Sequence, residues 1–103
     1  MIKLFRNGDL IGEGESLRSI VEAHKSNLEF ANLEGADLRG ADLRDADLED
    51  ADLESVDFRF ANLKNAHLEG ANLEGANLEG TKLEGANLEG TCLQGTENER
   101  KKQ

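Results

Sequence analysis

The sequence predicts a solenoid, a chain that turns every five residues and stacks its turns along a line, preceded by a hairpin and a short helix. Three observations carry that expectation. Leu or Phe recurs at every fifth position from Leu28 to Leu93, with Phe58 the single Phe, fourteen times in residues 26–95 without an insertion. Two positions before each stands a small residue, usually Ala, as at Ala31, Ala36, Ala41 and Ala71; Ser26, Val56, Thr81 and Thr91 are the exceptions. The composition is also lean for a centred core: 37% hydrophobic, four Phe as the only aromatics, and a net charge of −10. Such a chain suggests disorder unless it buries residues along an axis, as repeat proteins do.

The spacing excludes the simpler alternatives. In a helix, at about 100° per residue, positions five apart drift around the axis and never form a stripe. In a flat strand an odd period sends alternate leucines to opposite faces. A chain that turns once per repeat keeps every Leu and its small neighbour on the inside, so each five-residue unit becomes one side of a coil. Glycine at the last repeat position, as in Gly70, Gly75 and Gly80, eases the turn. The Asn or Asp between the small residue and the Leu can bond nearby backbone.

The first 25 residues differ and read as a cap. Asn7-Gly8 in IKLFRNGDLIGEGE is a favoured two-residue hairpin turn, which sets Phe5 opposite Leu10, Leu4 opposite Ile11, and Arg6 opposite Asp9. ESLRSIVEAHKS follows as a short helix with Ser16 as N-cap and Leu17, Ile20 and Val21 on one face. A first coil leaves its core and edge unpaired, and the hairpin and helix are assigned to cover it. At the other end residues 96–103 are short and charged and read as a disordered tail.

The phrases ANLEG, ADLRG and ADLED resemble the pentapeptide-repeat family, whose consensus is A-(D/N)-L-x-x. The resemblance spans residues 26–95. It implies a mainly β fold, a right-handed quadrilateral β-helix with four repeats per twenty-residue coil and about three and a half coils for these fourteen repeats. Residues twenty apart then stack. The position after each Leu sorts by face into Glu29, Glu49, Glu69 and Glu89; Glu34, Glu54, Glu74 and Gln94; Arg39, Arg59 and Glu79; and Arg44, Lys64 and Glu84.

Charge follows the repeats. Residues 1–25 are neutral overall, residues 26–95 hold sixteen acids and five bases, and residues 96–103 are net +1. An acidic body repels nucleic acid and anionic lipid and favours basic partners, so neither direct nucleic-acid binding nor a membrane is expected. The two Glu ladders read either as a solubilising surface that blocks edge-to-edge aggregation or as a face for a basic protein partner. No run of residues is apolar and long enough to span a bilayer. The single cysteine, Cys92, cannot form an internal disulfide, which fits a reducing cytoplasm, and a bacterial one is expected.

Catalytic chemistry has no foothold in the pattern, and the chain is expected to be a non-enzyme without cofactor. His24, His67 and Cys92 are the only soft metal ligands. Their separation fits no zinc spacing, so no metal site is expected; His24 is read as a helix-surface residue and His67 and Cys92 as exposed rung residues. Rows of alike glutamates lack the contrasted environments of an acid–base pair. Phe30 and Phe60 stand at the last repeat position, where Gly, Asp, Asn or Ser otherwise occurs. Phe30 is read as covering the junction of helix and first coil in preference to anchoring a partner. Phe60 is read either as covering a local gap or as an anchor for a partner.

Two functions are compatible with this. The first is a protein-interaction or structural module. The second comes from the resemblance: some pentapeptide-repeat proteins mimic DNA and act on bacterial topoisomerase, especially gyrase, conferring fluoroquinolone resistance. This chain departs from that subgroup in being shorter, in lacking projecting loops and a C-terminal pairing helix, and in carrying Arg39, Arg44, Arg59 and Lys64 on two faces. Finally, the last coil leaves the core around Leu88 and Leu93 facing solvent, so a weak tail-to-tail homodimer is expected there.

Overall fold

The computed structural model describes residues 2–6, 8–93, 95 and 96. It is a mainly β solenoid with one helix. Strands β1 (Ile2–Arg6) and β2 (Asp9–Gly14) form an antiparallel hairpin, and helix α1 (Leu17–Ala23) and a 3-10 turn (Lys25–Asn27) lead into the repeats. Of the hairpin turn, Asn7 lies outside the described residues.

Phe5 pairs with Leu10 and Arg6 with Asp9, as the turn requires, but Leu4 stands opposite Gly12 and not Ile11. A bulge between Leu4 and Phe5 shifts the register, because the hairpin must turn Leu4 into the core, where it is 1% exposed, while β2 accepts the helix. Gly12 is the seat for that helix: a Cβ there would come within 2.8 Å of the His24 ring and 2.9 Å of Ile20. His24 is therefore not a helix-surface residue. It is half-buried against β2 and ends α1, its backbone N–H donating to the carbonyls of Ile20 and Val21.

Helix α1 begins at Ser16, whose hydroxyl accepts from the Ser19 N–H at 3.2 Å. Ile20 and Val21 are buried and Leu17 half-buried, the expected apolar face. Ser26, the small residue of the first repeat, does not point inward; it is exposed in the 3-10 turn. Those three residues carry the chain out of the helix, and the regular repeat is established only from Leu28, which is fully buried.

From there the chain stacks on itself every twenty residues. Parallel bridges join Asn32 to Asp52, Asp52 to Asn72 and Asn72 to Cys92 on one wall; Asp37, Asp57 and Asn77 form a second wall, Asp42, Asn62 and Lys82 a third, and Asp47, His67 and Asn87 a fourth. Each wall is one bridged residue between two turns. The Leu33 N–H donates to the Asp52 carbonyl at 2.8 Å and the Asp52 N–H donates back to the Ala31 carbonyl at 2.9 Å. At every corner a turn closes from the Leu carbonyl to the N–H three residues on, from Leu28–Ala31 to Leu93–Thr96. The third residue of that turn has a positive φ, whether glycine (Gly75, 70°) or not (Asp45, 61°; Phe60, 62°), the conformation that turns of this class demand and that favours Gly and Asn. The Asn or Asp side chain braces the corner: Asn72 Oδ1 accepts the Glu74 N–H at 3.0 Å and Asp52 Oδ1 the Glu54 N–H at 3.2 Å.

The core is a column. Leucines and alanines from Leu28 to Leu78, with Val56 and Phe58, are buried, and Leu4, Ile20 and Val21 belong to the same cluster. Leu83, Ala86, Leu88 and Leu93 in the last coil are only partly buried. Thr96, grouped by sequence with the charged tail, is 1% exposed and closes the final corner, donating from its backbone N–H and hydroxyl to the Leu93 carbonyl. Residues 97–103 of that tail lie outside the described residues.

The first coil has a partner for its open edge. Arg6 bridges Ala31, and the Asn32 N–H donates to the Phe5 carbonyl. Further round, the Asp47 N–H donates to the Lys25 carbonyl at 2.7 Å and the Asp42 N–H to Glu22 Oε2 at 2.7 Å. In the coils above, the equivalent N–H reaches a carbonyl of the preceding coil, as Asp57 reaches Ala36. A helix side chain thus substitutes for a missing rung and satisfies a donor that would otherwise be left over.

Candidate functional site

The twenty-residue register fixes which side chains meet on the outer faces. On the two faces with bases, each arginine is held by the aspartate two residues earlier in its own repeat. Arg39 Nε and Nη2 donate to the Asp37 carboxylate at 2.8 and 2.7 Å, and Arg44 does the same with Asp42 at 2.8 Å for both bonds. Arg59 grips Asp57 through Nε and Nη2 at 2.9 and 2.7 Å. Hydrogen bonds from Arg39 hold the Asp37 carboxyl down at about 2, and those from Arg44 and Arg59 lower Asp42 and Asp57. Forked pairs of this kind are strong and directional. Of the bases on these two faces, Arg39, Arg44 and Arg59 are therefore neutralised within their own rungs, and Lys64 stands 3.9 Å from Glu84.

The two glutamate faces are built differently. Glu29, Glu49 and Glu69 are half-buried and Glu89 exposed in one column; Glu34 is exposed and Glu54 and Glu74 half-buried in the next. Gln94, which continues the second column, lies outside the described residues. Arg6 Nη1 stands 3.9 Å from Glu29 Oε1 at the hairpin end, but no lysine or arginine among the described residues pairs with Glu49, Glu69, Glu34, Glu54 or Glu74. The crowding shows in the carboxyls themselves. Glu49 is raised above the ordinary range, by the charge of Asp47 first, then by burial and by Glu69. Glu54 is raised by the charge of Glu34 first and then by a hydrogen bond with Glu74.

The same stacking places His67 on the first glutamate face. His67 lies above Asp47 in its wall, two residues before Glu69, and its Nδ1 is 3.5 Å from Glu69 Oε1. Ligand atoms of Glu49, His67 and Glu69 all lie within 4.8 Å of one another, as do those of Glu34, Asp52 and Glu54. Sequence spacing compared His67 only with His24 and Cys92, which fall on other elements. The signal that finds Glu49 is the offset of eighteen residues, one coil less two positions. Cys92, expected to be exposed, is half-buried at the end of the wall of Asn32, Asp52 and Asn72.

Of the aromatic residues, Phe60 is the most exposed, at 67%, and Phe30 is 50% exposed. The Phe60 ring leans along its corner into the space left by Gly80 in the coil above: a Cβ on Gly80 would sit 2.5 Å from Phe60 Cδ1. Phe60 thus covers a gap and still offers an apolar surface. Phe30 lines a shallow cleft with Arg6, Asn27, Glu29, Glu49 and Asp50, at the place where hairpin, 3-10 turn and first coil meet. No helix among the described residues is long and apolar enough to cross a membrane.

Comparison with known proteins bears on this geometry. The family model described as pentapeptide repeats matches residues 24–59 and 61–96 in eight copies. Among solved structures, a pentapeptide repeat protein from the Arabidopsis thaliana thylakoid lumen is similar at 29% identity and a TM-score of 0.62, over 63% of this chain and 45% of that one. The pentapeptide repeat protein Rfr23 from the cyanobacterium Cyanothece 51142 is 46% identical with a TM-score of 0.49, over 64% of this chain and 52% of that one. A third, from Nostoc PCC 7120, is 32% identical with a TM-score of 0.47, over 79% and 74% of the two chains. The chain spans about half the length of the first two. No curated protein matches it.

Proposed function

Because the chain belongs to the pentapeptide-repeat family, we propose that it is a non-catalytic interaction module whose adjacent glutamate faces receive a basic segment of a protein partner. In this reading the scaffold is a right-handed, four-sided β-helix of about three and a half coils, with residues 1–25 as the cap of its first coil. One observation carries the functional part. Arg39, Arg44 and Arg59 are consumed by aspartates of their own rungs, whereas Glu49, Glu69, Glu34, Glu54 and Glu74 crowd one another with no lysine or arginine beside them among the described residues. A face that only needed solubility would gain by mixing signs, as the other two faces do. Holding like charges in stacked rungs is mildly destabilising, and a basic partner offsets that repulsion on binding.

The glutamates supply steering and register, and Phe60 supplies an apolar anchor at a neighbouring corner. Affinity capture from bacterial lysate tests the reading, comparing the native chain with a Glu54→Gln, Glu69→Gln, Glu74→Gln variant. Basic proteins should be captured by the native chain, released by moderate salt, and lost in the variant. Equal capture by both chains refutes the acidic face. Recovery of topoisomerase subunits would instead favour the DNA-mimic reading.

The partly buried Leu83, Leu88 and Leu93 support a second contact within the same reading, a weak tail-to-tail pairing of two chains. Sedimentation over a range of concentrations should reveal a reversible dimer that Leu93→Lys abolishes. A strictly monomeric chain at high concentration removes it.

A further inference from the structure

The column containing His67 otherwise holds Asp47 and Asn87. An imidazole at this rung is the one departure from an amide or carboxylate, and it falls between the two half-buried glutamates of the neighbouring column, Glu49 and Glu69. The three side chains bring one nitrogen and two oxygen donors within 4.8 Å of one another. Glu69 Oε1 is shielded from solvent and accepts no hydrogen bond among the described residues, although it faces His67 Nδ1 at 3.5 Å. A covered acceptor without a hydrogen bond is costly, and an ion shared with the facing imidazole would satisfy it.

We propose that Glu49, His67 and Glu69 form a binding site for a divalent transition-metal ion of the zinc class. Zinc takes imidazole nitrogen and carboxylate oxygen at about 2.0–2.2 Å, which sets tetrahedral ligands roughly 3.3–3.5 Å apart. Closing from 4.8 Å asks for side-chain rotation of about an ångström at a solvent-facing His and two glutamates, with the coil unmoved. Three protein ligands leave one coordination position open to water or to a partner's side chain. The donor set favours zinc, cobalt, nickel or copper over magnesium and calcium, which prefer oxygen alone. The cluster of Glu34, Asp52 and Glu54 is as tight but has no imidazole and no shielded unpaired oxygen, so it serves as an internal control. The site stands whether or not the glutamate faces bind a basic partner, since the chain alone supplies its three ligands.

The test is titration of the purified full chain, with Cys92 kept reduced, using zinc chloride followed by calorimetry and thermal melting, and cobalt chloride followed by visible absorption. Saturable binding of one ion per chain is expected, with a rise in the melting midpoint because the ion binds only the folded state. His67→Asn installs the residue that already stands at Asn87 in the same column, so it preserves the coil. His67→Asn and Glu69→Gln should each weaken zinc binding at least about tenfold, the smallest loss usually seen on removing even an outer-shell partner of a metal ligand. Glu54→Gln should leave it unchanged. Absence of saturable zinc binding overturns the proposal, and so does binding that survives His67→Asn or that is lost in Cys92→Ser instead.

Discussion

Leu48 and Leu88 occupy the same column two coils apart, and replacing each by alanine separates burial by neighbouring coils from the intrinsic preference of a leucine for this position. Leu48 is 0% exposed, as are Leu28 and Leu68 on either side of it. Truncation to alanine removes three carbons, about 2.4 kcal/mol at roughly 0.8 kcal/mol per buried carbon. The walls around it are tied by backbone bonds from Leu48 to His67 and from Asp52 to Ala31, so they cannot collapse into the gap. A cavity term therefore adds, and the loss should reach about 3–5 kcal/mol. Leu88 has a coil on one side only and is partly buried. The space it vacates opens to solvent, and the loss should be about 1 kcal/mol. Against a total of roughly 5–15 kcal/mol for a domain, the first substitution is severe and the second mild. Urea unfolding followed by far-UV circular dichroism is the assay, since the chain has neither Trp nor Tyr. Equal shifts in midpoint for the two variants, or a larger one for Leu88→Ala, would refute the idea that each rung is stabilised by its neighbours.

Three further outcomes follow from the corners and the charged faces. Gly80→Ala should cost about 1 kcal/mol for its left-handed backbone (φ 69°) plus the displacement of the Phe60 ring that its Cβ would meet; in a Phe60→Gly background only the backbone part should remain, which a double-mutant cycle reads directly. Glu54→Gln should leave the melting midpoint unchanged or raise it, more at low salt than at high, because it removes the charge that Glu34 and Glu74 resist; marked unfolding would contradict the crowded ladder. Stability should pass through a maximum at mildly acidic pH. Glu49 and Glu54 are raised above 4.5, so the folded chain holds their protons more tightly than the unfolded one and gains stability as pH falls through that window. Asp37 is lowered from 3.8 to about 2, so its contribution is present above 3.8 and is lost as pH falls toward 2. Thermal melts from pH 7 to pH 2 would show the maximum, and a steady decline from neutral pH would count against it.

The five-residue period, the inward Leu and Ala, the glycine-friendly corners and the Ser16 cap were legible in the sequence alone. Each depends on backbone geometry within a few residues, and any chain carrying A-(D/N)-L-x-x phrases with a turn residue every fifth position meets the same steric constraints. The resemblance supplied the register of twenty, and with it the glutamate columns. Contacts between coils and between cap and coil were not legible. The bulge that moves Leu4 from Ile11 to Gly12 exists because His24 and Ile20 need room on β2, a demand made by residues eight and twelve positions away. The forked pair of Asp37 and Arg39 lies only two residues apart, yet the sequence placed the arginine only on a face and not on its partner, since sequence order does not say which rotamer a surface arginine adopts. Glu49 and His67 meet because one coil returns the chain to the same wall, and the cap's Glu22 takes the place of a rung because the helix happens to end beside Asp42. Local periodicity determined that this chain coils; only the closed coil decided which of its charges are satisfied, which are left facing one another, and where an imidazole falls among them.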